Sequence, residues 1–138
     1  MNPSALSPLA ASALVASGGA VGALARYQVG RVVTHLAGPN GAFPWGTLTV
    51  NLIGSLAMGA LLGWLARGSV STASSETMHL LIGVGLLGGF TTFSAFSSEL
   101  VAMIHRGQIM LGLAYGSASL IAGMAAIIIG LIIAQSAS

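Results

Sequence analysis

Gly88-Gly89-Phe90-Thr91-Thr92-Phe93-Ser94-Ala95-Phe96 sits in the middle of an apolar segment long enough to cross a bilayer, yet it is badly made for a helix. Each of the adjacent glycines costs roughly 1 kcal/mol relative to alanine inside a helix. Two β-branched threonines follow, and hydroxyls recur at Ser94, Ser97 and Ser98. Within hydrocarbon, a broken helix leaves N–H and C=O groups that water cannot satisfy, so a break persists only where protein or an ion completes the bonding. Interrupted spanning helices are where transporters place their ions. This stretch therefore reads as the functional centre of an interrupted span.

Outward from it, the chain divides into four spans at about residues 9–33, 45–65, 78–104 and 108–134, a single all-α transmembrane domain whose third helix carries the break. The composition requires a membrane: 138 residues are 55% hydrophobic and only 4% charged, against roughly 25% charged in soluble domains. Four arginines and no lysine leave no basic cluster for a nucleic acid. The absence of cysteine removes disulfides, thiolate metal sites and cysteine nucleophiles. Residues 1–8 carry no positive n-region, so the first apolar segment is expected to be retained. Gly38-Pro39-Asn40-Gly41 is a turn signal, residues 67–77 read as a polar loop, His105-Arg106-Gly107 as a short turn, and residues 135–138 as a loose tail. Trp45 and Trp64 lie 19 positions apart, about 28 Å on a helix, and resemble the two aromatic belts of one span.

Four spans leave both termini on one side, with Arg67 there and Arg31 and Arg106, with or without Arg26, on the other. So slight an arginine imbalance gives a weak orientation signal, and a near-balanced chain could insert both ways up. Two opposed copies would form an antiparallel dimer. Small size also argues for a dimer, because four short glycine-rich helices do not easily enclose an aqueous path alone. Ser55, Gly59 and Gly63 recur every four residues, as do Gly112 and Gly116. Such stripes allow close helix approach, either within a subunit or between subunits.

Polar residues inside spans need a reason. Asn51 lies between the tryptophan belts, with Thr47 one turn before and Ser55 one turn after, a polar track on one helix face. Taken by itself, Asn51 is more simply read as bonding a neighbouring helix. Tyr115 and Ser119 repeat the spacing on the fourth span. Phe90, Phe93 and Phe96 are spaced by three and would share one face. Phenylalanine edges are electropositive and can partly replace water around a small anion, although such rings commonly just pack. The helix start near Thr92 also favours an anion. Carbonyls freed at Gly88 and Thr91 would instead suit a hard cation such as sodium. The residues alone thus describe an ion-conducting oligomer.

Residues 88–99, 46–54 (Gly-Thr-Leu-Thr-Val-Asn-Leu-Ile-Gly) and 18–27 (Gly-Gly-Ala-Val-Gly-Ala-Leu-Ala-Arg-Tyr) closely resemble the fluoride channel family called Fluc or CrcB, in order and spacing over essentially the whole chain. The resemblance implies a dual-topology antiparallel homodimer in the cell membrane, with two fluoride pores along the subunit interfaces and a sodium ion, not transported, at the dimer centre. It implies that Gly88 and Thr91 carbonyls hold the sodium. Phe93 and Phe96 would line the pore with Asn51 and Ser94, while Thr47, Tyr115 and Ser119 continue a polar track. Arg26 would lie at the aqueous vestibule, or serve as a snorkelling anchor, and Glu99 would support the break. Ala95 departs from the family pattern, where threonine is usual.

Two rivals are weighed. A small proton-coupled multidrug antiporter also has four spans, but its mechanism wants a carboxylate deep in the membrane, whereas the first span has no acid and Glu99 lies toward the end of the third. A non-transporting scaffold leaves the Asn51 track and the broken span without a purpose. An enzyme is disfavoured because His35, His79 and His105 fall at loops or span edges, without paired carboxylates.

Overall fold

The structure, a computed structural model, describes residues 6–68 and 70–137. The described residues are helical without strands, and four runs are long and apolar enough to cross a membrane: Pro8–Ala37, Trp45–Leu65, Thr72–His105 and Ile109–Ser136. Large apolar side chains such as Leu120, Ile121, Met124 and Ile128 point outward along the last run. In water this would be costly burial left undone; in lipid it is the expected exterior. The chain is a multi-pass membrane protein.

Helix α1 (Pro8–Ala37) starts where the Ser7 hydroxyl accepts from the Ala10 amide at 3.2 Å, with Pro8 in the first turn. It stops at Gly38, whose φ of 100° suits glycine alone, and the Gly41 amide closes the turn on the Gly38 carbonyl at 3.0 Å. Helix α2 (Trp45–Leu65) follows, its 21 residues giving about 31 Å of length.

The third run begins earlier than the polar composition of residues 67–77 suggests. Ser71 caps α3 (Thr72–Met78) by accepting from the Ser74 amide, and the Thr77 hydroxyl bonds back to the Ala73 carbonyl at 2.9 Å. The Ser71 cap thus starts a helix where a loop is expected. A π-helical segment, His79–Leu87, continues the run, followed by the single turn α4 (Gly88–Phe90) and then α5 (Phe93–His105). Helix α5 ends at Gly107, φ 74°, with the Gln108 amide reaching the Met103 carbonyl at 2.9 Å, the glycine-terminated closure common at helix ends. Helix α6 (Ile109–Ser136) completes the bundle.

The C-terminal segment is less loose than expected. Gln135 and Ser136 are helical, and Arg67 donates through Nη1 to the carbonyls of Ala134 (3.2 Å) and Ala137 (2.9 Å), joining the ends of α2 and α6. Ser138, the rest of that expectation, lies outside the described residues.

Glycine stripes set the packing within the chain. A Cβ at Gly18 would strike the Leu81 carbonyl, and one at Gly22 the Leu86 carbonyl, so α1 lies backbone to backbone on the π-helical segment. On the other seam, a Cβ at Gly59 would strike the Ile127 carbonyl and one at Gly130 the Leu56 carbonyl, while Gly63 comes against the Leu131 carbonyl. Small residues are what let membrane helices approach this closely. The Ser55–Gly59–Gly63 stripe therefore serves the α2–α6 seam of one subunit. Gly130→Val is expected to lower stability by about 1–3 kcal/mol through overpacking. Gly30→Ala, where an added methyl meets nothing within 4 Å, should leave the melting temperature unchanged or slightly raised. Thermal unfolding of both variants in detergent measures the contrast.

Candidate functional site

Between α4 and α5 the backbone leaves the helix for two residues. Thr91 (φ −85°, ψ 160°) and Thr92 (φ −150°, ψ 120°) are extended. Asn51 on α2 meets this point with both ends of its amide: Oδ1 accepts from the Thr92 N–H at 2.8 Å, and Nδ2 donates to the Thr92 carbonyl at 3.1 Å. The Thr92 hydroxyl then accepts from the Ala95 amide at 3.2 Å and starts α5. In an uninterrupted α-helix, the Thr92 amide would bond the Gly88 carbonyl and the Ala95 amide the Thr91 carbonyl. Both amides are committed elsewhere, so Gly88 and Thr91 lose the donors that helix geometry would supply. Oxygen donors of this kind at a half-helix C-terminus suit a monovalent hard cation. Among the described residues no cluster of three or more metal-binding side chains offers an alternative.

A cavity of about 350 Å³ adjoins the break, lined in part by Asn51, Ser55, Thr91, Phe93, Phe96 and Ser119. An asparagine amide carries two donor hydrogens, and the Thr92 carbonyl takes one, leaving the other for whatever enters. Phe93 is 77% exposed, and its ring centroid lies 5.9 Å from that of the half-buried Phe96. Phe96 in turn packs 5.2 Å from the Tyr115 ring. Phe90 does not share their face, contrary to its threefold spacing. It precedes the extended residues, is buried, and packs where Gly54 leaves room beside Thr91. Ser94 sits apart from the cavity lining, exposed, its Oγ 3.3 Å from the Thr92 hydroxyl oxygen.

The residue that sequence reasoning undervalued is Glu99. Its side chain binds neither extended residue. The Thr47 hydroxyl donates to Oε1 at 2.6 Å and the Tyr115 hydroxyl to Oε2 at 2.7 Å, so one carboxyl group joins α2, α5 and α6. Tyr115 and Met103 are fully buried and pack with Leu48 in the core beneath it. One turn from Tyr115, the Ser119 hydroxyl is buried without a protein partner. The available signal was an acid inside a span, which in a membrane protein warrants a named partner. Its partners lie 52 and 16 positions away, which no local pattern reveals.

Arg26 faces a wider cavity of about 890 Å³ whose wall includes Thr47, Thr92 and Arg31. The Arg31 guanidinium lies 5.5 Å from the Tyr27 ring centroid. Apart from Ser94 and the backbone carbonyls of Gly88 and Thr91, the sequence-predicted residues fall into three neighbouring groups. Asn51, Phe93, Phe96 and Ser119 share one cavity; Thr47 and Tyr115 meet at Glu99; Arg26 lines the wider cavity together with Thr47.

The model of the family described as CrcB-like protein, Camphor Resistance (CrcB), matches residues 13–131. The chain belongs to the CrcB family. Its relatives include a protein named fluoride-specific ion channel FluC from Novosphingobium aromaticivorans, 49% identical over 123 residues, covering 89% of this chain and 94% of the relative. Proteins of the same name from Caulobacter sp. (strain K31) and Erythrobacter litoralis are 50% identical over 123 residues and 45% identical over 134 residues. The former covers 88% of this chain and 92% of the relative, the latter 96% and 97%. In this CrcB chain the Asn51–Thr92 pair is the joint between α2 and the extended residues.

Asn51→Leu should remove the partner of the Thr92 amide and carbonyl, both part-buried, at up to about 1–3 kcal/mol for each. Asn51→Asp retains the acceptor and should be less harmful. Thermal unfolding and hydrogen exchange at the Thr92 amide read the difference; equal protection in all three proteins would dismiss the joint.

Proposed function

We propose that the protein is a fluoride-selective channel that lets fluoride leave the cytoplasm passively across the cell membrane. The observation that carries this reading is the near-full-length similarity to proteins named fluoride-specific ion channel. The cavity beside the broken helix supports it with chemistry. Fluoride is small and strongly hydrated, so a narrow path must offer donors to offset the lost water. Asn51 offers an amide hydrogen, Ser119 a hydroxyl, and Phe93 and Phe96 electropositive edges. Modest sites in series favour conduction, since a tightly binding site would hold the ion. The chain has no lysine to act as such a trap. It is a channel and not an enzyme.

The pore is completed by a second copy in antiparallel orientation. The exposed Phe93 ring supports that arrangement, because one subunit leaves it uncovered. Fluoride then passes Phe93 and Phe96 with Asn51 and Ser94, and continues along Ser119, Tyr115 and Thr47. Arg26 gathers anions in the wider cavity. At the two-fold centre the Gly88 and Thr91 carbonyls of both copies hold a sodium ion that stays in place, neutralising the negative ends of the half-helices. The two freed carbonyls support this reading, since each needs a partner inside the membrane.

Reconstituted protein is expected to discharge a fluoride gradient from liposomes while a chloride gradient persists, measured with ion-selective electrodes. Equal flux of both ions would end the selectivity claim. In the same assay Phe96→Ile should reduce fluoride flux at least tenfold, with the dimer intact by cross-linking. Replacing sodium on both sides with a large organic cation is expected to stop flux over time; unchanged flux would discard the Gly88–Thr91 ion site.

A further inference from the structure

A separate cavity of about 360 Å³ opens at the end of the bundle where the α1–α2 turn meets α5. Thr34, Ser98, Glu99 and Arg106 form its polar wall, and Phe43 and Met103 part of its apolar wall. Glu99 and Arg106 are seven positions apart, two helical turns, and so lie on one stripe separated by about 10 Å along the axis. Glu99 is part-buried and held by the Thr47 and Tyr115 hydroxyls. Arg106 is exposed, at the terminal turn of α5. The other arginines differ from it in their surroundings. Arg67 is bonded to the end of α6, while Arg26 and Arg31 face the wider cavity. Among the described residues Arg106 has no side-chain hydrogen bond or ion pair.

We propose that this cavity is the aqueous mouth of the conduction path opposite the Arg26 cavity of the antiparallel second copy, and that Arg106 draws fluoride into it. The inference rests on the fluoride-channel reading. Three observations converge on it. The Thr47–Glu99–Tyr115 cluster lines the cavity through Glu99, and the Tyr115 ring packs at a tilt against Phe96 of the cavity beside the break. The two cavities are thus joined through one ring contact and one hydrogen-bonded cluster. The Glu99 oxygens take the hydroxyl hydrogens of Thr47 and Tyr115, so the cluster offers an approaching anion no free donor there and entry calls for a positive charge nearer the opening. Arg106 supplies that charge on the same stripe, between low-dielectric walls that focus its field. A cation placed only to complement the end of α5 would not need to share a cavity with Glu99.

The test uses full-length protein in liposomes, with initial fluoride efflux measured at about 0.01 M and about 1 M inert salt, where screening lengths differ about tenfold. Arg106→Ala should slow efflux about three- to tenfold at low salt and little at high salt. Arg106→Cys introduces the sole cysteine into a chain without any. A cationic thiol reagent should restore its low-salt efflux, and an anionic reagent should depress it further. An anchoring role for Arg106 predicts the same efflux change at both salt concentrations and no dependence on reagent charge, and that result overturns the proposal. Ala102→Cys, between Glu99 and Arg106 on the cavity wall, should react with a membrane-impermeant maleimide in folded protein. Failure to react while Cys-substituted position 106 does so also overturns it. A wild-type protein that passes no fluoride refutes the channel reading itself, an outcome distinct from a conducting wild type whose Arg106 variants behave normally.

Discussion

Everything in this bundle depends on a rule of hydrocarbon: a backbone amide or carbonyl must find a partner within the protein. Two extended residues inside a spanning run breach the normal solution, and the Asn51 side chain repairs the breach at Thr92 from the neighbouring helix. The repair is partial by construction. It satisfies the amide and carbonyl of Thr92, uses the Thr92 hydroxyl to start α5, and leaves the carbonyls of Gly88 and Thr91 without helical donors. A single asparagine thereby bonds both backbone groups of Thr92 and diverts its amide from the Gly88 carbonyl, while the Thr92 hydroxyl diverts the Ala95 amide from Thr91.

Close backbone packing supplies the rigidity that such a break needs. The π-helical segment before it lies directly on α1, and α2 lies directly on α6, because Gly18, Gly22, Gly59 and Gly130 carry no side chain at the contacts. With α2 fixed in this way, Asn51 is held at the height of Thr92. Packing and function are linked through the position of α2, although no glycine on the α2–α6 seam touches the break.

Much of this was legible in the sequence. Four apolar runs, the glycine pair, the threonines and Asn51 identify a membrane bundle with a disturbed third helix, since each has a local physical signature. Family resemblance supplied the halide, which no spacing could. What was not legible depends on distance along the chain. Glu99 reads as a supporting residue of its own motif, whereas its partners Thr47 and Tyr115 come from two other helices. Residues 72–77 read as loop because serine and threonine favour turns, and only the Ser71 cap shows why they coil. Phe90 joins Phe93 and Phe96 by arithmetic alone; that arithmetic assumes a continuous helix.

This last point has a wider consequence. An extended residue advances the chain about 3.3 Å and turns it by nearly half a revolution, whereas a helical residue advances it 1.5 Å and turns it by 100°. Passing through Thr91 and Thr92 therefore resets the angular phase of the third span. Residues on either side belong to two unrelated helical wheels, and a substitution profile across this span should show a jump in its period at that point. Each half is then free to evolve its own lipid-facing side, and one face can be redesigned without rotating the other.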